Sequence, residues 1–251
     1  MEKEKRDVSL LNQIIKENDI RGLLVDLDNT VLHTSRYYIE TENSLSLVLT
    51  EKIFGNDLDK GFADAMADIM GRQYLERNRK PIPVTDRYMH ALEEYLEFDE
   101  AQVYRDFVLE YLKNFYEVSP EIIDGALDVL RMIIDLELPY VYTSNAQESW
   151  TAVKVQGFEL ELGVNDIKYN AIDIDRVKND KDWIASSEII DIPVERALII
   201  GDSLDADILA GICAGCRNLV WIGGDRNKLP SEIMEDSDIH IWCVDSIKDL
   251  V

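Results

Sequence analysis

Short apolar runs, each closed by a polar or acidic residue, punctuate the chain. Leu23, Leu24 and Val25 read as a buried strand, with Leu27 still inside the pattern and Asp26 and Asp28 at its end. Residues 139–143, 197–200, 219–222 and 239–244 repeat that form, and a weaker strand is expected near Ile172. Between them, apolar positions recur at helical spacing over residues 122–136, 147–156, 183–190 and 208–214. Val8, Leu11, Ile14 and Ile15 predict a short amphipathic helix at the start. Strands that alternate with helices predict an α/β fold, a mostly parallel, doubly wound sheet covered on both faces.

The texture changes between residues 34 and 120. Helical periodicity persists there, tyrosine and glutamate are frequent, and no strand pattern occurs. Breaks at Gly55-Asn56, at Pro81-Ile82-Pro83 and at Ser119-Pro120 divide the block into about four helices. The expected organisation is a core of residues 1–33 and 121–251 with an all-helical insertion at 34–120. In doubly wound sheets ligands sit beyond the carboxyl ends of the strands. That rule directs attention to Asp26/Asp28, Ser144/Asn145 and Asp202, each at the end of an apolar run.

Charge narrows the function classes. Of the 251 residues, 50 are Asp or Glu and 26 are Lys or Arg, a formal net charge of -24. Such a surface repels nucleic-acid backbones and anionic lipid, so neither is an expected partner. Three cysteines do not make a disulfide framework. No run approaches the roughly 20 apolar residues of a membrane span, and the charged N-terminus has no signal-type apolar stretch. A cytoplasmic protein is expected.

Each of the three strand ends has an ordinary reading as a turn or helix cap, since Asp, Asn, Ser and Thr are capping residues. Two acids one residue apart point the same way on an extended chain. Ser144 and Asn145 precede a helix, whose N-terminus suits phosphate. Asp202, Asp205 and Asp207 crowd behind the fourth strand pattern, and a cap explains one acid more easily than three. Several carboxylates suit a hard cation such as Mg2+.

Together the segments resemble the haloacid dehalogenase-like (HAD) hydrolase superfamily, mainly phosphatases. Asp26-Leu27-Asp28-Asn29-Thr30 matches its first motif, Asp-x-Asp-x-Thr after an apolar run. Ser144-Asn145 matches the second. Lys178, in Lys178-Asn179-Asp180, matches the third without its frequent proline, and Lys181 is the competing lysine. Gly201-Asp202 followed by Asp207 matches the fourth. The ordered set spans nearly the whole chain from Gly22.

The resemblance implies a Rossmann-like core with a helical cap, and a chemistry. Asp26 would be the nucleophile, forming an aspartyl-phosphate, and Asp28 the general acid and then base. Mg2+ would be held by Asp26, the Asp28 backbone carbonyl, Asp202 and Asp207. Ser144, Asn145 and Lys178 would hold the phosphate, with Lys178 neutralising both phosphate and nucleophile. Asp28 favours phosphoryl transfer over halide displacement, which needs no proton. The substrate would be a small phosphorylated metabolite; a phosphomutase and a non-catalytic binding protein are the alternatives. The sequence leaves the oligomeric state open.

Other features have plainer readings. Arg36, Tyr37 and Tyr38 could face the site, whereas Arg77, Arg79 and Lys80 read first as a solvated basic loop. Cys213 and Cys216 form a lone CxxC at a helix end, read as packing. The three histidines form no ligand set, and the four tryptophans read as core.

Overall fold

The computed structural model describes residues 9–55, 60–77 and 82–251. The chain opens with α1 (Leu10–Glu17), capped by the Ser9 hydroxyl, which accepts from the Asn12 amide at 3.3 Å. Leu11 and Ile14 on its inner face are buried; Val8 of the same pattern lies outside the described residues. Six strands follow: β1 (Gly22–Asp26), β2 (Tyr140–Ser144), β3 (Tyr169–Ala171), β4 (Ala197–Gly201), β5 (Asn218–Ile222) and β6 (His240–Val244). They form one sheet in the order β3-β2-β1-β4-β5-β6, with every neighbouring pair parallel.

The apolar runs have their cause in this topology. β1, β4 and β5 are buried on both faces, so their residues are apolar without alternation. Leu23 and Val25 point into one cluster with α1, α7 (Ala126–Asp135) and α8 (Glu148–Leu162). Leu24 points into the other, with Trp183 of α9 (Asp180–Ile189) and Ala210 of α10 (Ala210–Cys213). Chain order reverses on either side of β1, so the ends of β1 and β4 border the switch point where ligands bind.

Between β1 and β2 lie α2 (Thr34–Phe54), α3 (Lys60–Glu76), α4 (Val84–Leu96), α5 (Phe98–Gln102) and α6 (Arg105–Leu112). Periodicity predicts about four helices; the extra division falls at Glu97, whose φ of 65° breaks the path between α4 and α5. Leu45, Phe62, Met66, Tyr88 and Leu92 centre a separate apolar cluster. Trp150 of α8 reaches into it and packs edge-on against Tyr38 and Tyr116 and tilted against Phe115, ring centres 5.1–5.8 Å apart, tying the insertion to the sheet layers.

Several boundaries differ from the periodicity: α8, expected over 147–156, runs on to Leu162, and α9, expected from 183, starts at Asp180, at its capping box. The helix expected from residue 122 begins at Ala126, because Ile122 bridges Leu32 and Gly125 turns the chain at φ 84°. The strand expected near Ile172 is β3, ending one residue earlier. The helix expected at 208–214 is preceded by a π-helical turn, Leu204–Leu209, and such turns are frequent at functional sites. A short helix, α11 (Ser231–Glu235), has no counterpart in the sequence pattern.

Candidate active site

The carboxyl ends of β1, β2 and β4 open onto a cleft of about 770 Å³ roofed by the helical insertion. Asp26 closes β1 and is buried. The chain then turns sharply: the Val31 and Leu32 amides return to the Leu27 carbonyl, and Asn29 sits at φ 64°, a conformation asparagine tolerates. The Asn29 side chain accepts from the Ser35 amide at 2.8 Å and so fixes the start of α2.

Asp26, Asp202 and Asp207 form one group, with a carboxylate oxygen of each within 4.8 Å of the others. Asp207 reaches it because residue 201 is glycine: a Cβ there would lie 2.3 Å from an Asp207 oxygen. The Ser203 amide donates to Asp207 Oδ2 at 2.9 Å, and the Ser203 hydroxyl caps the π-helical turn. Lys178 enters from the other side. Its ammonium pairs with Asp26 and, at 2.6 Å, with Asp207, over the Trp183 ring.

Electrostatics follow from that crowding. Burial, with Asp207, Asp202 and Asp28 nearby, drives the Asp26 carboxyl well above its ordinary value against the pull of Lys178. Burial and Asp207 push Asp202 up to about 7. Burial alone would lower Lys178, but Asp207 and Asp26 outweigh it and hold the ammonium above its ordinary range. One lysine thus faces three acids, and Asp26 Oδ2 is buried without a hydrogen-bond partner. Three carboxylates with an unsatisfied buried oxygen fit a hard divalent cation.

Asp28 belongs to a different set. Its carboxylate is not in the three-acid group. Oδ1 accepts from Thr34 at 2.7 Å, Oδ2 accepts from Ser144 at 2.6 Å, and Lys154 pairs with it. Burial alone would raise Asp28, but Lys154, helped by the bonds from Ser144 and Thr34, holds it below its ordinary value. Lys154 is fully buried and packs 3.7 Å from the Trp150 ring centre.

The sequence candidates take distinct places. Ser144, expected to hold phosphate, has its hydroxyl on Asp28. Asn145, also expected there, instead turns its amide to the loop before α9. It donates to the Asp173 and Arg176 carbonyls at 3.2 and 3.1 Å and accepts from the Lys178 amide at 3.1 Å. Arg176 pairs with Asp182, whose carboxylate also accepts from the Asn179 amide in the capping box of α9. This lattice aims Lys178 at Asp26, while Lys181 is exposed. Tyr38 and Arg77 line the cleft; Arg79 and Lys80 lie outside the described residues. Cys216 is buried behind β4 and Cys213 exposed, neither near the acids. Lys154 is the site residue that motif spacing misses. Its signal was position, for it shares the buried stripe of α8 with Trp150, Thr151, Val155 and Phe158.

Comparison with known proteins places the chain in a family and a fold. A family profile described as haloacid dehalogenase-like hydrolase matches residues 20–215, and a second, HAD-hydrolase-like, matches residues 181–250. The chain belongs to the haloacid dehalogenase-like hydrolases. Among solved structures it is similar to YfnB of Bacillus subtilis in its magnesium-bound form, at 20% identity and a TM-score of 0.59, over 92% of this chain and 96% of that one. A 2-haloacid dehalogenase from Pseudomonas syringae pv. Tomato aligns at 17% identity and a TM-score of 0.52, over 92% and 96%. A β-phosphoglucomutase from Clostridium difficile aligns at 17% and 0.50, over 92% and 93%. At these identities the likeness is one of fold. No curated protein matches at a significant level. Among the described residues no helix is long and apolar enough to cross a membrane.

Proposed function

We propose that this HAD-like hydrolase is a Mg2+-dependent phosphatase acting on a small phosphate monoester, with the helical insertion as its cap. The observation that carries the reading is the pair of acids at the end of β1 with unlike surroundings: Asp26 beside Lys178 and two further acids, Asp28 clamped by Thr34, Ser144 and Lys154. A halide displacement has no proton to supply and no use for Asp28; expulsion of an alkoxide has.

Asp26 attacks phosphorus, its carboxylate forming the new P–O bond as the ester P–O bond breaks. Asp28, ionised beside Lys154 in the free site, takes up a proton from solvent as the ester binds and passes it to the departing oxygen; it then takes one from the water that attacks the aspartyl-phosphate, which restores Asp26 and frees phosphate. Lys178 offsets the charge of nucleophile and phosphoryl group, and its ties to Asp26 and Asp207 orient both. Asn145 holds the Lys178 loop and Ser144 holds Asp28. Asp26, Asp202, Asp207 and the Asp28 backbone carbonyl would hold Mg2+, which supplies positive charge to the phosphoryl oxygens when bound. The insertion excludes water and meets the leaving group.

Phosphate release from a panel of small esters tests the proposal, with Mg2+ or chelator, and with Asp26→Asn beside the wild type. Metal-dependent release lost in the variant is expected. Full activity in excess chelator, or in the variant, contradicts it.

A further inference from the structure

The two walls of the cleft carry opposite charge. Its lining acids, Asp26, Asp28, Asp202, Asp205 and Asp207, all come from the sheet side. Among the described residues, the helical insertion contributes Arg77 and Arg87 to the lining and no carboxylate, in a chain where acids outnumber bases about two to one. The roof is therefore a local cationic surface that the bulk composition does not explain.

Arg77 stands at the end of a stripe on α3. Met70, Gln73, Tyr74 and Arg77 follow one another at helical spacing, and all four line the cleft. The face that would otherwise bury apolar side chains thus turns polar as it meets the cavity. Among the described residues the Arg77 guanidinium meets Nδ1 of His90, at 3.0 Å, and no carboxylate. Arginine only donates, so His90 accepts and the charge stays unmatched. Arg87, by contrast, lies 3.1 Å from the buried Glu42 carboxylate. On the same stripe Gln73 Oε1 is buried without a hydrogen-bond partner, while its amide nitrogen is fixed by Glu94.

We propose that Arg77 anchors a second anionic group on the substrate, so that the natural ester carries a carboxylate or another phosphoryl group on its leaving-group side. This rests on the phosphatase reading for the position of the first phosphate, at the acidic wall. A cleft of about 770 Å³ lies within the roughly 300–1,000 Å³ range of ligand pockets and exceeds what one phosphate fills. The remaining space leads to the roof. An arginine donates to carboxylate or phosphate through two parallel bonds, which fixes orientation as well as charge.

The test is titration calorimetry on Asp26→Asn with Mg2+, where binding is read without turnover. Three ligands share one short alkyl phosphate: the first ends in a carboxylate, the second in another phosphate, the third in a methyl ester. One or both ligands with a second anionic group are expected to bind at least about tenfold tighter than the methyl ester. Adding Arg77→Met should bring the ratio to within about twofold, and Arg77→Lys should restore part of it. Arg77 is half-buried at the end of α3, outside the insertion's apolar cluster, and a circular-dichroism melt checks that each variant folds. Equal affinity for all three ligands, no binding of any, or a ratio that survives Arg77→Met overturns the proposal. Wild-type release of phosphate from p-nitrophenyl phosphate reads the phosphatase activity separately. Release without ligand preference overturns the Arg77 anchor alone. Preference without release leaves the anchor standing and overturns the phosphatase.

Discussion

Asp26 and Asp28 are two residues apart, yet their surroundings drive them in opposite directions. Asp26 shares its pocket with Asp202, Asp207 and one lysine, and its carboxyl is pushed well up by burial and by like charge. Asp28 has Lys154 and two hydroxyls, and is held below its ordinary value although it too is partly withdrawn from water. Desolvation acts on both, more fully on Asp26; what sets their directions apart is the count of acids per cation. A pocket with three acids and one lysine has room for a further cation. A pocket with one acid, one lysine and two donors is complete. The sequence repeats a residue type, and the fold gives the two copies separate work.

Substitutions can break this comparison at different depths. The largest effect is expected from Asp26→Asn, a loss in kcat on the order of 10⁴-fold or more, because a carboxamide cannot take the nucleophile's part. Steady-state phosphate release checks it. Asp28→Asn should cost about 10²–10⁴-fold. Its loss should be smaller on p-nitrophenyl phosphate than on an alkyl phosphate, since an acidic leaving group needs less proton delivery.

The two lysines separate the pockets by stability. Removing one partner of a buried pair costs about 3–5 kcal/mol, so Lys154→Met and Lys178→Met should both lower the free energy of unfolding in urea. Mg2+ should restore much of the loss in Lys178→Met and no more than the wild-type increment in Lys154→Met, because the cation site lies on the Asp26 side. The sign with pH also follows. Asp28 has a lowered value in the fold, so its contribution is present above the ordinary 3.8 and lost as pH falls through the lowered value. The Lys154→Met deficit should narrow only in that acid range. A smaller effect belongs to Gly201→Ala, whose Cβ would meet the Asp207 carboxylate. It should cost about 1–3 kcal/mol and weaken Mg2+ binding by calorimetry, with little change at Asp28.

These pockets were not equally legible in the sequence. Asp26, Asp28 and Asp202 stand at strand ends, with Asp207 in the turn that follows, in an ordered set, and a strand buried on both faces announces its end by the first charge. Lys178 is legible through its place in that order, although only the loop lattice of Asn145, Arg176 and Asp182 separates it from Lys181. Lys154 is not legible by motif. A lysine on a helix is ordinarily solvated, and its lone sequence sign is that it falls on the apolar stripe beside Trp150. Ser144 and Asn145 were legible as site residues but not in orientation, for a hydroxyl and an amide bond equally well to phosphate, carboxylate or backbone. In the fold, the parallel sheet covered on both faces was legible in the apolar runs that alternate with helical spacing, whereas the strand order was not, because pairing is set by contacts far apart in the chain. The break between α4 and α5 was not legible, because it turns on one positive φ at a glutamate.

The most direct measurement is capture of the phosphoenzyme. The wild type is mixed with Mg2+ and a ³²P-labelled alkyl phosphate, quenched in acid within milliseconds, and mapped by peptide mass spectrometry. Label on Asp26, released by hydroxylamine and absent in Asp26→Asn, is the expected result. Metal-dependent turnover with no labelled protein, or with label on another residue, would contradict Asp26 as the nucleophile.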